Sequence, residues 1–107
     1  MDGNRVLALE RRSAVSRFMV SYDLSKPGRN YEDLFKVLKS FDYVKPLESV
    51  WFLSSSLSTT AIRDKIKAAL DRNDHLLVTN LTHGDSAWFN LPAGFGEWLK
   101  AHPRRAA

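Results

Sequence analysis

The order of apolar patterns along the 107-residue chain predicts an α+β domain, with one antiparallel sheet carrying two helices on one face. Three observations carry this. Short stretches with period-two alternation, or with continuous β-branched and aromatic residues, recur at 18–24, 43–47, 49–55 and 75–81. Two stretches with the 3.6-residue period of a half-buried helix fall after the first of these and after the third. Clusters of Pro, Gly, Ser, Asn and Asp mark most of the breaks between them.

"FMVSYDL" (18–24) reads as a strand with Phe18, Val20, Tyr22 and Leu24 on one face and Met19, Ser21 and Asp23 on the other. A Pro-Gly turn in "SKPGR" ends it. Asn30 suits an N-cap, and Tyr31, Leu34, Phe35, Leu38 and Phe41 make the apolar stripe of the first helix. Glu32 and Asp33 fall in its first turn and Lys36 and Lys39 near its end, as the helix dipole favours. "YVKPL" (43–47) contains Pro46 and fits an edge strand, whereas "SVWFLSS" (49–55) fits a buried one. Ser58 is the expected N-cap of the second helix, whose stripe is Ile62, Ile66, Ala69 and Leu70. "HLLVTNL" (75–81) is the next strand, and "SAWFNL" (86–91) is expected to hairpin against it as an extra C-terminal strand. "GFGEWLKAH" fits a short last helix carrying Phe95, Trp98 and Leu99.

Strand, helix, strand, strand, helix, strand is the split βαβ, or ferredoxin-like, order. Residues 1–16 read as an N-terminal arm, 17–91 as the domain, and 92–107 as a C-terminal segment with a short helix and a basic tail. The sheet face opposite the two helices is left with no helix to cover it. Met19 and one or more strand aromatics lie there, which predicts a homodimer packed through that face.

Composition narrows the chemistry. With 44% hydrophobic residues the chain can build a core, and the absence of cysteine excludes disulfides, thiolate metal sites and cysteine nucleophiles. No apolar run approaches the ~20 residues that span a bilayer, and "MDGNRVLALERRSAVSR" lacks a signal-peptide layout. The expectation is a cytoplasmic protein with no membrane partner. The formal net charge of +4 is unevenly placed. Arg5, Arg11, Arg12 and Arg17 outnumber Asp2 and Glu10 at one end, Lys100, Arg104 and Arg105 stand without an acid at the other, and the body is close to balance. Basic tails of this kind hold phosphates or simply keep a small protein soluble.

Asp23 is the first candidate site residue. It ends a strand on the face expected to meet a second copy, so a two-fold axis there brings two carboxylates together. Paired carboxylates suit Mg²⁺ or Mn²⁺, and such an ion can activate water for phosphodiester cleavage. The same aspartate also suits an Asx turn over "LSKPGR". The hydroxyl-rich stretch "SVWFLSSSLSTT" precedes a helix N-terminus but has neither the glycines nor the lysine of a P-loop, which leaves Ser58 as a cap. His75, His83 and His102 are not spaced as a metal cluster. His83 stands near Asp85 in a polar turn, and His102 falls in the tail. Trp51, Trp88, Phe89 and Trp98 could stack on unpaired bases, although their positions suit core or interface. Asp71 and Asp74 close the second helix in "LDRND", as a turn or as part of a metal site.

Taken together, "YDL" (22–24), "SVWF" (49–52) and "RNDHLLV" (72–78) resemble the small CRISPR-associated family of ferredoxin-like dimeric endonucleases. The combination is most similar to that family's SinR-like relatives outside CRISPR loci, with the VapD toxins as cousins, and the likeness covers about 18–91. The resemblance implies a metal-dependent nuclease acting on RNA or DNA, with Asp23 matching the aspartate that holds Mg or Mn at the dimer axis. Lys26 and Arg29, with Arg11, Arg12, Arg104 and Arg105 of the tails, would then steer phosphate. The chain departs from CRISPR members where "SKPGRNY" replaces the arginines after the first strand, and where Glu48 and Ser49 open the core strand. The same family supplies the alternative, a non-enzymatic dimeric module that binds nucleic acid or protein in a defence or toxin–antitoxin system.

Overall fold

The computed structural model describes residues 15–26, 31–82 and 85–102. Along the chain run β1 (Ser16–Asp23), α1 (Glu32–Lys39), β2 (Asp42–Leu47), β3 (Val50–Ser55), α2 (Thr59–Lys67), β4 (His75–Asn80) and α3 (Phe95–Ala101). The strands form one open sheet in the order β2-β3-β1-β4, and every neighbouring pair is antiparallel. This α+β arrangement is compatible with a ferredoxin-like fold. No helix of the described residues is long and apolar enough to cross a membrane.

One face of the sheet carries the main core. Phe18, Val20 and Tyr22 of β1 and Trp51 and Leu53 of β3 pack in one cluster with Leu34 and Leu38 of α1 and Ile62 and Ile66 of α2. Alternation in β1 places these residues as its sequence predicts, because strand neighbours point to opposite faces. Ser58 caps α2, its Oγ accepting the Ala61 N–H at 3.0 Å. Tyr31 precedes α1 and caps it with no side-chain hydrogen bond; the expected cap, Asn30, lies outside the described residues. Pro46 sits in the edge strand β2, where the register to β3 shifts between Val44 and Leu47. An edge position with a bulge is where a strand tolerates a residue that has no N–H.

The opposite face differs from the sequence expectation in two ways. It does have a helix: Phe95 of α3 is buried and meets Phe52 of β3 edge-on, with ring centroids 5.3 Å apart. Asp42 of β2 ties the far end of that helix. Its Oδ1 accepts the Trp98 indole N–H at 3.3 Å, and its Oδ2 lies 2.6 Å from His102 Nε2. The His102 ring also stacks on Trp98, so His102 belongs to the folded domain and not to a free tail. Buried Arg17 completes the attachment by donating from Nη1 to the carbonyls of Leu99 and His102, at the negative end of the helix dipole. A period of 3.6 residues in "FGEWLKAH" signals the helix, but nothing local says which surface it will cover.

Second, residues 86–91 form no strand and run as irregular chain. Asn90 sits at φ 58 and Gly94 at φ 97, both in the left-handed region that breaks an extended run. The chain turns so that Trp88 packs edge-on against Phe95, centroids 4.9 Å apart. It also lies close to Gly96, where an added Cβ would meet the indole at 3.2 Å and the ring would have to shift by a few tenths of an ångström.

These contacts set an expectation for Phe95→Ala. The substitution removes the ring between Phe52 and Trp88 and should cost about 3 kcal/mol, the low end for a buried phenylalanine, because α3 can lift while the main core stays. Hydrogen exchange would show amides 95–101 losing protection ahead of β1 and β3. Unchanged protection in the variant would mean that Asp42 and Arg17 hold the helix without the ring.

Candidate functional site

β1 ends at Asp23, and the antiparallel register places His75, the first residue of β4, directly opposite. Directly opposed residues share a sheet face, so both side chains stand on the face away from α1 and α2. Both are exposed. A shallow depression of about 220 Å³ opens there, lined by Ser21, Tyr22, Asp23, His75, Leu76 and Leu77. Sequence spacing hides this pair, since the two residues are far apart in the chain. The register of β1 with β4 is the signal that joins them.

The turn after β1 explains what Asp23 does not do. Ser25 N–H donates at 2.8 Å, and Ser25 Oγ at 3.0 Å, to Oδ1 of Asp74, not to Asp23. The Tyr31 hydroxyl donates to the same oxygen at 3.0 Å. Oδ2 of Asp74 accepts the Asp71 N–H at 2.8 Å. One carboxylate therefore latches the loop leaving β1 to the turn entering β4. Among the described residues Asp23 has no hydrogen bond or ion pair of its own, so the Asx-turn alternative loses its donor.

Donation from Ser25 N–H, supported by the Asp71 N–H and the Ser25 and Tyr31 hydroxyls, holds the Asp74 carboxyl down at about 2 against the partial desolvation that opposes it. A folded-state value below the unfolded one stabilises the protein above the ordinary carboxylate range and is lost as pH falls from about 4 toward 2. Asp74→Asn keeps one acceptor but replaces Oδ2 by a donor facing the Asp71 N–H. It should lower the urea midpoint at pH 7 and flatten the acid limb of stability against pH. An acid limb identical in variant and wild type would remove Asp74 as its source.

Tyr22, beside Asp23 but on the core side, accepts the Trp51 indole N–H at 3.0 Å. Burial pushes its hydroxyl up, the Trp51 bond pulls it back, and the Glu48 carboxylate adds to the rise. Its hydroxyl donates in turn to the Glu48 carbonyl at 3.4 Å, so it is engaged within the fold.

The remaining sequence candidates separate. Lys26 is exposed at the latch, its Nζ 3.7 Å from Asp71 Oδ2. Arg29, Arg11, Arg12, Arg104, Arg105 and His83 lie outside the described residues. Asp71 and Asp74 meet each other, not Asp23, through the turn bonds above and the donation from Asn73 N–H to Asp71. Ser55 and Ser58 accept from Leu57 and Ala61 N–H groups, so this part of the hydroxyl-rich stretch serves local caps. Trp51 is core, Trp98 holds α3, and Trp88 and Phe89 are 48% and 92% exposed. A larger cavity of about 810 Å³ lies beside Val15, Ser54 and His102. It is at the opposite end of β1, roughly 20 Å from Asp23, and its acid, Asp42, is already engaged by His102.

Among the described residues no group of three or more His, Asp or Glu side chains is placed to hold a metal ion within one chain. Asp23 and His75 together offer one oxygen and one nitrogen donor, an incomplete set that a second copy would double. No protein-family model matches the chain and no solved structure aligns with it.

Proposed function

We propose that the chain is a metal-dependent nuclease that hydrolyses RNA or DNA, working as a homodimer on a ferredoxin-like scaffold. One observation carries this reading: Asp23 is an exposed carboxylate at the end of a central strand, freed from turn duty by Asp74 and set opposite His75. An unused acid on a sheet margin is what a two-fold pairing would turn into a divalent-ion site.

Asp23 of each copy would hold Mg²⁺ or Mn²⁺, and the imidazole of His75 favours Mn²⁺ of the two. The ion, when bound, supplies charge stabilisation at the phosphate and a more acidic water. Lys26 and Arg29, with Arg11, Arg12, Arg104 and Arg105, would draw in the backbone of the substrate by charge.

The test is a cleavage assay on labelled single-stranded RNA, single-stranded DNA and duplex DNA, with Mg²⁺, Mn²⁺ or EDTA. Cutting that needs the metal supports the reading and names the substrate. Salt-sensitive binding with no cutting of any substrate would overturn it in favour of the dimeric binding module.

A further inference from the structure

The cavity of about 810 Å³ at the far end of β1 is walled by several elements at once. Phe41 and Asp42 stand at the entry to β2, residues 54–57 lead from β3 toward α2, Lys65 projects from α2, and Val15 and His102 close the sides. The volume falls within the roughly 300–1,000 Å³ of sites that enclose a small ligand.

The wall offers donors that the fold leaves over. Ser54 stands in register between Asp42 of β2 and Arg17 of β1. Neither its hydroxyl nor that of Ser56 has a hydrogen bond among the described residues. Ser55 Oγ accepts the Leu57 N–H and keeps its own proton to give. Lys65 Nζ lies over the Phe41 ring, 5.2 Å from its centroid, with no carboxylate partner among the described residues.

The one acid in the wall does not oppose an anion. Oδ1 of Asp42 accepts the Trp98 indole N–H, and Oδ2 faces His102 Nε2 at 2.6 Å. On the other side of the ring, His102 Nδ1 faces the Trp98 carbonyl at 2.8 Å. A carbonyl only accepts, so Nδ1 carries a proton, and the contact to Asp42 holds a second proton between Nε2 and Oδ2. The His102–Asp42 pair therefore has no net charge, and Lys65 sets the sign of the cavity.

The sequence concentrates its surplus charge at its two ends, and the fold roots both ends in this wall. Arg11 and Arg12 precede Val15 by four and three residues, and Arg104 and Arg105 follow His102 by two and three. At no more than about 3.6 Å per residue, all four Cα atoms lie within roughly 14 Å of the wall along any path. Glu10 is the one acid at a similar remove in sequence. A charge is screened over about 8 Å in physiological salt. Charge rooted here acts on this cavity before it acts on the Asp23 margin, roughly 20 Å away along β1.

We infer that this cavity binds the terminal phosphate of a nucleotide, free or at the end of an oligonucleotide. Lys65 and the hydroxyls of Ser54, Ser55 and Ser56 donate to the phosphate oxygens, and the tail arginines add charge. Val15, Phe41 and Leu57 supply an apolar wall for the sugar and base, which fill space that a bare phosphate would leave empty. A phosphate monoester carries about −1.5 to −2 at neutral pH, more than the single charge of a backbone diester, so a terminus is favoured over a chain interior. The site is separate from the proposed cleavage centre and does not rest on it.

Calorimetric titration of the full chain in EDTA, with AMP, adenosine, and a short DNA strand with and without a 5′-phosphate, tests this. AMP should bind at least about tenfold more tightly than adenosine, and the phosphorylated strand should exceed its unphosphorylated twin by a similar factor. The tighter of AMP and the phosphorylated strand identifies the source of the phosphate. Lys65 is exposed, so Lys65→Gln should fold normally and weaken binding by roughly tenfold or more, as loss of a charged hydrogen-bond partner does. Replacing Arg104 and Arg105 together by Gln should weaken it too and flatten its salt dependence. Amide shifts on adding AMP or the phosphorylated strand should cluster at 54–57, 65 and 101–102, and Asp23→Asn should leave both shifts and affinity unchanged. No phosphate-dependent binding at about 1 mM of either probe overturns the inference. So does an unchanged affinity in Lys65→Gln, or a set of shifts centred on 21–23 and 75–77. Metal-dependent cleavage is read separately, so the two proposals fail in different assays.

Discussion

Trp51→Ala is expected to destabilise the domain by roughly 3–5 kcal/mol, the range for a buried tryptophan cut back to alanine. A domain this small has a total stability of about 5–15 kcal/mol, so the variant should be largely unfolded at modest urea. The size of the effect follows from how many layers meet at this ring. Trp51 is 1% exposed in the central strand β3. Phe35 of α1 stacks on it at 6.4 Å, Tyr43 of β2 tilts against it at 5.0 Å, and Lys45 lies over its face at 5.4 Å. Its indole N–H is bonded to Tyr22 Oη, and the Tyr22 hydroxyl reaches on to the Glu48 carbonyl at 3.4 Å. Alanine would leave a cavity against three elements and remove the donor from a buried hydroxyl. Trp51→Phe fills most of the space and loses only the donor, so its cost should be well under half as large. Urea titrations followed by far-UV circular dichroism compare the two, and equal midpoints for Trp51→Ala and wild type would show that the ring is not part of the cooperative core.

Trp51 also marks how far the sequence could be read. A strand with Trp51 and Phe52 in succession has to cover both faces, and that is visible in "SVWFLSS". What covers each face is not. Trp51 meets α1 through contacts whose partners follow the helical stripe, and these are local enough to anticipate. Phe52 meets Phe95 across 43 positions of chain, and no periodicity in either segment points to the other. The extra strand is absent for a related reason: "SAWFNL" alternates well enough, but the segment runs irregular, with Trp88 packed on Phe95 and close to Gly96. Alternation marks a segment that can be extended; tertiary contacts decide whether it is.

At the candidate site the same division holds. Alternation put Asp23 on the face away from the helices, which the burial of Phe18, Val20 and Tyr22 bears out. Its neighbour His75 is hidden, because spacing along the chain does not report register across a sheet. Asp74 was hidden more deeply. "RND" says turn, and the turn is there, but the bonds from Ser25 and Tyr31 join segments more than 40 residues apart. A carboxylate that gathers donors from three segments looks from sequence like any aspartate before a strand.

That separation of duties is what makes Asp23→Asn informative. The substitution is isosteric, falls on an exposed side chain and touches no hydrogen bond among the described residues, so stability should change by less than about 0.5 kcal/mol. If Asp23 holds the metal, cleavage should drop by at least about a hundredfold, because an amide is a poor ligand for a hard cation and a dimer would lose both donors at once. His75→Ala should reduce cleavage by a smaller factor and shift its preference from Mn²⁺ toward Mg²⁺, since it removes a nitrogen donor and leaves the oxygens. Asp74→Asn serves as the contrast: it should lower stability through the loop latch and affect cleavage only as far as the end of β1 loosens. Initial rates for the three variants, beside their urea midpoints, place each carboxylate in one role. A full wild-type rate in Asp23→Asn would take Asp23 out of the mechanism, and a cleavage loss in Asp74→Asn without a stability loss would move the metal to the latch.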